Sequence, residues 1–371
     1  MTPAKTTTPF YTKLAMVLIS VICLFYIAIL GKNILAPLLF ALMFSVLLLP
    51  VARLLENRLR IHRSLAAILS VLLLMVSIAA IIYIVATQII TMADDWPQFK
   101  SHLLSSLKDL HLWISVKFHI NTTKQNTYVN NWASQLLTNG PSIINDILSS
   151  ISSILLYVVF TLVDTFFLLY YRRLLVKFLI SVFKEEDSEA VYDIIAQVQN
   201  RIGQYIQGLL LELIIVSTVS CVALWILGVD YPILLGLLTG LLNLIPYIGI
   251  LFSLLINTLI AFATAGVGKI LLVIATQFGI HLLDANLLLP LLVAAKVRLN
   301  ALITIIGVIV GGTVWGIAGA FLAVPVIAII KIIFDRIENL KPWGMLMGDE
   351  KDEKLPSSLK LEIKKEKGEM R

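Results

Sequence analysis

Long apolar runs, separated by short polar or basic links, cover most of the chain. A transmembrane helix needs about 20 predominantly apolar residues to cross the hydrocarbon core of a bilayer. Several runs have that length, and they lack the short alternating segments that are typical of a membrane β-barrel. These runs predict transmembrane helices near Leu14–Leu30, Ile34–Val51, Leu65–Ile90, Ile151–Tyr171, Gly208–Leu227 and Ile270–Val293.

Two further apolar runs, Pro232–Ala263 and Ala301–Ile333, are too long for one ordinary crossing. Each contains residues that break a helix or allow helices to approach closely. Such a run can form one kinked helix packed among others, or a helical hairpin beside a transport path. The predicted break or hinge residues are Pro246, Gly249, Gly311, Gly312, Gly316, Gly319 and Pro325.

The two long runs have an inverted relation to each other. Each follows an ordinary span, so two hairpins would approach the membrane interior from opposite sides. Hairpins leave Lys296 and Arg298 inside, where basic flanking residues are favoured, whereas two complete crossings leave them outside. A span followed by a hairpin, repeated with opposite orientation, is typical of secondary transporters. The pattern predicts an all-α polytopic membrane protein with about eight transmembrane segments, two of them broken runs or re-entrant hairpins.

Basic residues set the predicted orientation of the chain in the lipid bilayer. The link between the second and third spans carries four arginines against Glu56 alone, which places this link and the N-terminus in the cytoplasm. The predicted domains are 1–173, with N-terminal spans and a large external segment at 91–150; 174–207, a cytoplasmic amphipathic helix; 208–334, the transport core; and 335–371, a charged, disordered cytoplasmic tail.

Composition agrees with a membrane protein and argues against other classes. Hydrophobic residues form 59 % of the chain, whereas soluble domains have about 45–50 %. Basic residues that flank spans explain the net charge of +6, so nucleic acid is not an expected partner. Cys23 and Cys221 lie in apolar runs without disulfide or metal-ligand spacing. No nucleotide-binding loop or nucleophile–base arrangement is found, which predicts neither an enzyme nor a cofactor.

A few ionisable and amide residues lie inside the apolar runs. A charge at the centre of a membrane helix costs at least about 2.5 kcal/mol, so each one needs a partner or a function. A carboxylate beside an imidazole on one helix face can couple proton movement. The same side chains can instead act as hydrogen-bonding glue between helices. The candidate residues for substrate or coupling-ion binding are Asp284, His281, Gln277, Asn286, Asn243 and Glu212, with no metal ligand among them.

The second half of the chain also carries a set of short motifs. They are Asn243-Leu-Ile-Pro-Tyr-Ile-Gly249, Asp284-Ala-Asn286 with Pro290, Gly311-Gly312, Trp315-Gly-Ile-Ala-Gly319 and Ala323-Val-Pro325. Together they resemble the autoinducer-2 exporter (AI-2E) family of bacterial membrane transporters, over nearly the whole chain. The chain departs from the family pattern at Leu209, where glutamine is common, and at Arg298-Leu-Asn-Ala301, where a Gly-Leu-His-Pro-like link is common.

The resemblance implies a multi-pass secondary transporter of the bacterial inner (plasma) membrane that forms a homo-oligomer such as a pentamer. One hypothesis is an exporter of a small polar solute, driven by an ion gradient. A second is a sodium (lithium)/proton antiporter that uses the same carboxylates. A third is an oligomeric membrane scaffold without transport, whose external segment binds an envelope partner.

Overall fold

The computed structural model describes residues 9–118, 142, 145–146, 149–150, 154–246, 248–294 and 299–348. The first half forms helices α1 (Phe10–Leu30), α2 (Lys32–Asn57), α3 (Arg63–Asp94), α4 (Trp96–Phe118), α5 (Ile154–Tyr170) and α6 (Arg172–Val182). A 3-10 turn (Glu185–Asp187) leads to α7 (Ser188–Ile226), α8 (Pro232–Asn243), α9 (Ile248–Ala265) and α10 (Val267–Leu283). A π-helix (Asp284–Ala294), α11 (Ala301–Trp315), α12 (Ile317–Arg336), a 3-10 turn (Glu338–Leu340) and α13 (Lys341–Met347) follow.

The predicted all-α polytopic class is confirmed. Seven of the described helices are long and apolar enough to cross a membrane. The number is eight if α5 and α6, which meet at an angle of 71°, count as one broken span. The predicted spans coincide with helices in the described residues, except that Ile270–Val293 is divided between α10 and the π-helix and that residues 151–153 lie outside the described part. Most of these helices extend several residues beyond the predicted ends, because polar residues continue the helix past the apolar run.

Helix α7 crosses the predicted boundary between residues 207 and 208. It is one continuous helix from Ser188 to Ile226, without proline or a cap in its interior. The predicted amphipathic helix at 174–207 is thus divided: its first part belongs to α6 and the 3-10 turn, and the rest, from Ser188, continues into the predicted span as one helix. The sequence changes from polar to apolar at Gly208, but the backbone remains helical on both sides of this residue. Gly208 itself lets the π-helix approach, since a Cβ there would lie 2.1 Å from the Leu292 carbonyl oxygen.

Both long apolar runs double back on themselves. In the first, the Asn257 amide donates to the Thr239 hydroxyl at 2.8 Å, although the two residues are 18 positions apart. That separation would span about 27 Å in a continuous helix. In the second, a Cβ on Gly311 would lie 2.3 Å from the Gly319 carbonyl oxygen. The kinked-helix alternative is therefore wrong, and α8–α9 and α11–α12 are helical hairpins, named here the first and second hairpin.

The two hairpins turn at fewer residues than predicted. The first turns around Pro246, between Asn243 and Ile248, as expected. The second turns at Gly316, whose φ of 65° and ψ of −142° are strained for any residue with a side chain. The other predicted break residues lie inside helices, so their assignment as breaks is corrected: they are Gly249, Gly311, Gly312, Gly319 and Pro325.

Close packing explains most of these interior positions. A Cβ on Gly249 would lie 1.7 Å from the Leu242 carbonyl oxygen, so this glycine lets the arms of the first hairpin meet. Gly311 and Gly319 do the same in the second hairpin. Pro325 is fully buried, and α12 continues through it. Packing around the ring offsets the hydrogen bond that a proline cannot donate.

The hairpins open at opposite ends of the helix bundle. Tyr231, just before the first hairpin, donates a hydrogen bond to Asp95 at the end of α3. At the other end, Arg336, the last residue of the second hairpin, forms an ion pair with Asp193 in the first turns of α7. Because α7 runs from one end of the bundle to the other, the predicted inverted order of span and hairpin is present.

Two flanking segments pack against the hairpins. The tail was predicted to be disordered from residue 335, yet α13 packs back on the second hairpin, where Asn300 donates to the Leu346 carbonyl at 2.6 Å. Residues 349–371 lie outside the described part. In the external segment, α4 places Phe99 and Leu103 against Ala263 of the first hairpin. The rest of that segment beyond residue 118 is largely outside the described residues, as are Lys296 and Arg298.

Candidate functional site

Two buried carboxyl groups share one amide beside the turn of the first hairpin. The Asn243 Nδ2 donates to Glu212 Oε1 at 2.8 Å and to Asp284 Oδ2 at 3.0 Å. The side chains of Glu212 and Asp284 are 2 % and 4 % exposed, respectively. Three separate elements supply this acidic cluster: α7, the end of α8 and the start of the π-helix. Both amide hydrogens of Asn243 are thereby used to hold the carboxyl groups together.

Local sequence explains why these three side chains converge. Asn243 is the last residue of α8, so its side chain is held at the point where the chain turns back. Asp284 begins a π-helix that contains Pro290. A proline ring cannot donate a backbone hydrogen bond and clashes with the carbonyl one turn earlier, so Pro290 weakens the regular α-helical hydrogen bonding of this segment. π-Helical segments within helices are frequent at functional sites.

A second polar layer lies about two turns of α7 beyond the acidic cluster. Here Ser220 on α7 donates to Gln277 on α10 at 3.3 Å. Asn257 and Thr239 form the bond between the arms of the first hairpin, and both are buried. Buried polar groups need such partners, because an unpaired one costs about 1–3 kcal/mol. The four helices α7 to α10 thus enclose a polar column in an otherwise apolar bundle.

A cavity of about 30 Å³ lies within this column. That volume is about the share of one water molecule in the liquid, so the cavity suits a water or a small cation. Its walls combine aliphatic and polar side chains. They are Val216, Thr239, Asn243, Ile250, Ser253, Leu254, Gln277, Phe278, Ile280, His281 and Asp284.

Several polar atoms around this cavity have no hydrogen-bond partner among the described residues. They include one oxygen of each carboxyl group, Glu212 Oε2 and Asp284 Oδ1, and the Nδ1 atom of His281. Adjacent carboxylates repel each other, and a cation or a proton placed between them relieves that repulsion. His281 lines the cavity, and the buried Tyr205 interacts electrostatically with Glu212. The arrangement can therefore bind a proton or a monovalent cation.

The structure unites most of the predicted site residues but changes their partners. Gln277, His281, Asp284 and Asn243 line one cavity, and Glu212 joins them through Asn243. Asp284 bonds to Asn243 and not to His281 in the described structure, so the predicted imidazole–carboxylate pair is replaced by a pair of carboxyl groups. Asp284 turns towards α8, whereas the centre of the His281 ring lies 6.4 Å from the centre of the Phe278 ring.

Asn286 lies apart from the cavity. Its side chain is exposed and donates to the Leu282 carbonyl oxygen of its own helix at 2.8 Å. The spacing explains this, because Asn286 follows Asp284 by two residues and side chains at that spacing do not share a helix face. The glycines of the second hairpin are also absent from the cavity wall. Instead, the first turn meets the second hairpin in an apolar cluster that includes Ile245, Val308 and Ala320.

The prediction from sequence omitted the hydroxyl and amide groups of the second layer. Ser220, Thr239 and Asn257 are short polar residues in apolar runs, and such residues commonly bond to their own helix. The sequence did contain a signal for Thr239. It precedes Asn243 by one helical turn and so lies on the same helix face, just as Gln277 lies on the same face as His281. The described residues contain no group of three or more histidine, cysteine or acidic side chains that could hold a metal ion.

Comparisons with known proteins agree with this architecture. The Bacillus subtilis (strain 168) putative transport protein YueF is 27 % identical over 309 residues, which cover 78 % of this chain and 80 % of that protein. The AI-2 transport protein TqsA of Escherichia coli (strain K12) is 25 % identical over 324 residues, covering 86 % of this chain and 90 % of that protein.

A third relative is more similar over a shorter segment. The B. subtilis putative transport protein YrrI is 33 % identical over 136 residues, which span 37 % of this chain and only 38 % of that relative. The family profile described as AI-2E family transporter matches residues 16–339. This match includes every helix from the middle of α1 to the end of α12, so the chain belongs to the AI-2E family of multi-pass membrane transporters.

Proposed function

We propose that the protein is a secondary transporter whose coupling ion binds at the acidic cluster of Glu212, Asn243 and Asp284. The observation that carries this proposal is the pair of almost fully buried carboxyl groups on one amide, each with an oxygen that no described residue bonds. Charged groups inside a membrane are costly and mark ion pathways or proton relays. A purely structural polar contact would not need two acids at one point.

We further propose exchange of a monovalent cation, sodium or lithium, for protons. The cavity of about 30 Å³ has room for a small ion but not for an organic solute in this conformation. Oxygen atoms from carboxyl, amide and hydroxyl groups surround it, and hard cations prefer such ligands. No nucleotide-binding loop is found in the sequence, so an ion gradient is the expected source of energy.

Proteoliposomes with an entrapped pH-sensitive dye test this function. Addition of sodium or lithium should move protons in wild-type vesicles, and Asp284→Asn or Glu212→Gln should reduce the response to background. Asp164→Asn is the matched control, because Asp164 is another acid within a span but has no part in the cluster. No cation-dependent proton movement in the wild type would refute antiport. An equal loss in all three variants would refute the role of the cluster.

A second candidate is ion-driven export of a small polar solute. It is favoured by the similarity to TqsA, whose name describes AI-2 transport, over 86 % of this chain. Solute release from loaded vesicles should then require the ion gradient and stop on addition of an uncoupler. Asp284→Asn and Glu212→Gln should then stop solute export as well. If the wild type exports solute without any response to sodium or lithium, the cluster would couple transport to protons alone.

The proposed setting is the inner membrane of a bacterial cell with both termini in the cytoplasm. The basic residues between α2 and α3 support that orientation. We also propose a homo-oligomer, because the span Tyr11–Leu30 has none of its residues buried within the chain. Labelling of single cysteines in the α2–α3 link from either side tests the first point, and native mass spectrometry tests the second.

A further inference from the structure

A second and larger cavity lies where α2 ends, α5 bends into α6 and α7 begins. Its volume is about 420 Å³, more than ten times that of the cavity in the polar column. It is thus large enough for a polar group of several atoms together with water. The polar side chains of its wall are Arg53, Glu56, Asn57, Arg172, Arg173, Tyr192 and Gln199.

The charge of this cavity is strongly positive. Its wall carries three arginines and one acid, Glu56. Glu56 Oε2 pairs with Arg172 Nη2 at 2.5 Å, which holds the end of α2 to the start of α6. Arg53 and Arg173 have no ion-pair partner among the described residues. The Glu56 carboxylate would repel an anion, but the charges of Arg53 and Arg173 in the cavity wall remain unpaired in the described part of the chain.

A fourth arginine strengthens the positive field behind the wall. Arg63, the first residue of α3, interacts electrostatically with Arg172, Arg173 and Glu56. Its Nε and Nη2 atoms are buried without a described hydrogen-bond acceptor. The guanidinium lies 5.9 Å from the ring centre of Tyr170, at the end of α5. Three helix ends therefore place arginine side chains around one space.

Helix α6, which borders this cavity, has the features of a helix that lies on a membrane surface. The helix leaves the direction of α5 by 71° directly after Tyr170. Leu174, Phe178 and Val182 recur every four residues along α6 and are about 60 % exposed. A short helix with an apolar stripe and a basic start is typical of a segment that lies in the lipid headgroup region.

From this arrangement we infer a binding site for a phosphate group in the larger cavity. Arginine guanidinium groups form paired hydrogen bonds with phosphate oxygens, and their fork geometry suits this anion better than a lysine ammonium. An anionic phospholipid and a soluble phosphate both present that group. The surface position of α6 favours the phospholipid, whose acyl chains would lie along the exposed apolar stripe. This inference is independent of the proposed transport function.

Binding to the purified full-length protein tests the site. In mixed micelles, phosphatidylglycerol should raise the unfolding temperature of the wild type, and phosphatidylcholine should not. Arg53→Gln with Arg173→Gln should weaken the phosphatidylglycerol titration by about tenfold or more, since each basic residue near an anionic lipid contributes substantially. Arg58→Gln with Lys177→Gln is the matched control, because it removes two nearby exposed charges outside the cavity wall.

Two further arms distinguish the alternatives. Arg53→Lys with Arg173→Lys keeps the charges but removes the guanidinium forks, so it should bind less tightly than the wild type and more tightly than the glutamine pair. Inorganic phosphate titrated without lipid tests a soluble ligand. A cavity-dependent response to phosphate but not to lipid would support the site with a soluble source.

Three outcomes would overturn the inference. One is the absence of any response to phosphatidylglycerol or phosphate. Another is an equal loss in the cavity pair and in the control pair, which would indicate diffuse surface attraction. The third is equal binding by the lysine pair and the wild type, which would exclude the forked recognition. If the glutamine pair does not fold in phosphatidylcholine, the lysine pair decides the question.

Discussion

The two hairpins share one plan and differ in what lies between their arms. In the first, polar side chains meet, as in the bond from Asn257 to Thr239. In the second, backbone meets backbone, and a Cβ on Gly319 would lie 2.0 Å from the Gly311 carbonyl oxygen. Both pairs of arms also meet at a glycine, Gly249 in the first hairpin, but only the first pair is joined by side chains that can exchange hydrogen-bond partners.

This difference separates two ways of stabilising a hairpin in a membrane. Small residues let helices approach until dispersion forces hold them, and nothing in that contact can be replaced by water or an ion. Polar side chains leave room and carry donors and acceptors that can bind another species. The first hairpin accordingly borders the small cavity, whereas no residue of the second lines it. The two halves of the inverted repeat thus have the same order of helices, but only the first hairpin places polar side chains at the small cavity.

The largest effect should come from filling the glycine contact of the second hairpin. Gly319→Val forces the arms apart and should destabilise the protein by about 3 kcal/mol, the upper end of the typical cost of overpacking. Gly312→Ala is the control, since a Cβ there would meet only the Ala320 Cβ at 3.9 Å. Thermal unfolding of the detergent-purified variants measures both. A Gly319→Val protein as stable as the wild type would show that the arms can separate freely.

A smaller effect is expected where the first hairpin meets the acids. Asn243→Leu removes the amide that bonds both carboxyl groups and should lower the free energy of unfolding by about 2 kcal/mol. Asn286→Leu makes the same change at an exposed position and should shift it by less than about 0.5 kcal/mol. Denaturant unfolding in mixed micelles gives both values. Equal effects would remove the distinction between the polar column and an exposed position of the π-helix.

The positions of the helices and of the hairpin turns were largely predictable from sequence. Apolar run length located the helices, and Pro246 and Gly316 gave two correct turns because proline and positive φ constrain the backbone locally. Gly311 and Gly319 were misinterpreted as breaks, since a glycine that permits contact and one that permits a turn look alike in sequence. Only the packing partner, 8 positions away along the chain and directly across the hairpin, distinguishes them.

The site was predictable in its members and not in its contacts. Helical spacing brought Gln277, His281 and Asp284 to one face, as observed around the cavity. Spacing could not show that Asp284 would bond with Asn243 and lie beside Glu212, because those contacts join different helices. The π-helix that begins at Asp284 is likewise not specified by periodicity. Contacts within one helix follow from sequence, whereas contacts between helices depend on the assembled bundle.

The entrances of the two hairpins give a third test. Asn300, before the second hairpin, accepts from the Ile303 backbone N–H at 2.8 Å and donates to the Leu346 carbonyl. Asn300→Ala should cost about 1 kcal/mol of stability, as expected for a lost helix cap. Asn300→Asp keeps the cap and loses only the donated bond, so it should retain part of this stability. If Asn300→Ala and Asn300→Asp lose the same stability in thermal unfolding, the whole effect comes from the hydrogen bond to the Leu346 carbonyl.

The smallest effect is expected at the first entrance, where Tyr231 donates to Asp95 at 2.9 Å. Burial, and then the hydrogen bond to Asp95, raises the pKa of the Tyr231 hydroxyl above its ordinary value. A raised pKa in the folded state means that the neutral phenol contributes stability below about pH 10, the ordinary tyrosine value. That contribution is lost as the pH rises from there towards the folded-state pKa.

Tyr231→Phe should therefore lower the free energy of unfolding by about 0.5 kcal/mol at pH 8, a typical value for one hydrogen bond in a membrane protein. The gap between wild type and variant should narrow above about pH 10, because only the wild type loses the phenol contribution there. Tyr83→Phe, at a tyrosine that is 70 % exposed, should leave stability at pH 8 unchanged. A gap for Tyr231→Phe that stays constant from pH 8 to about pH 11 would show that Asp95 does not hold the entrance of the first hairpin through this hydroxyl.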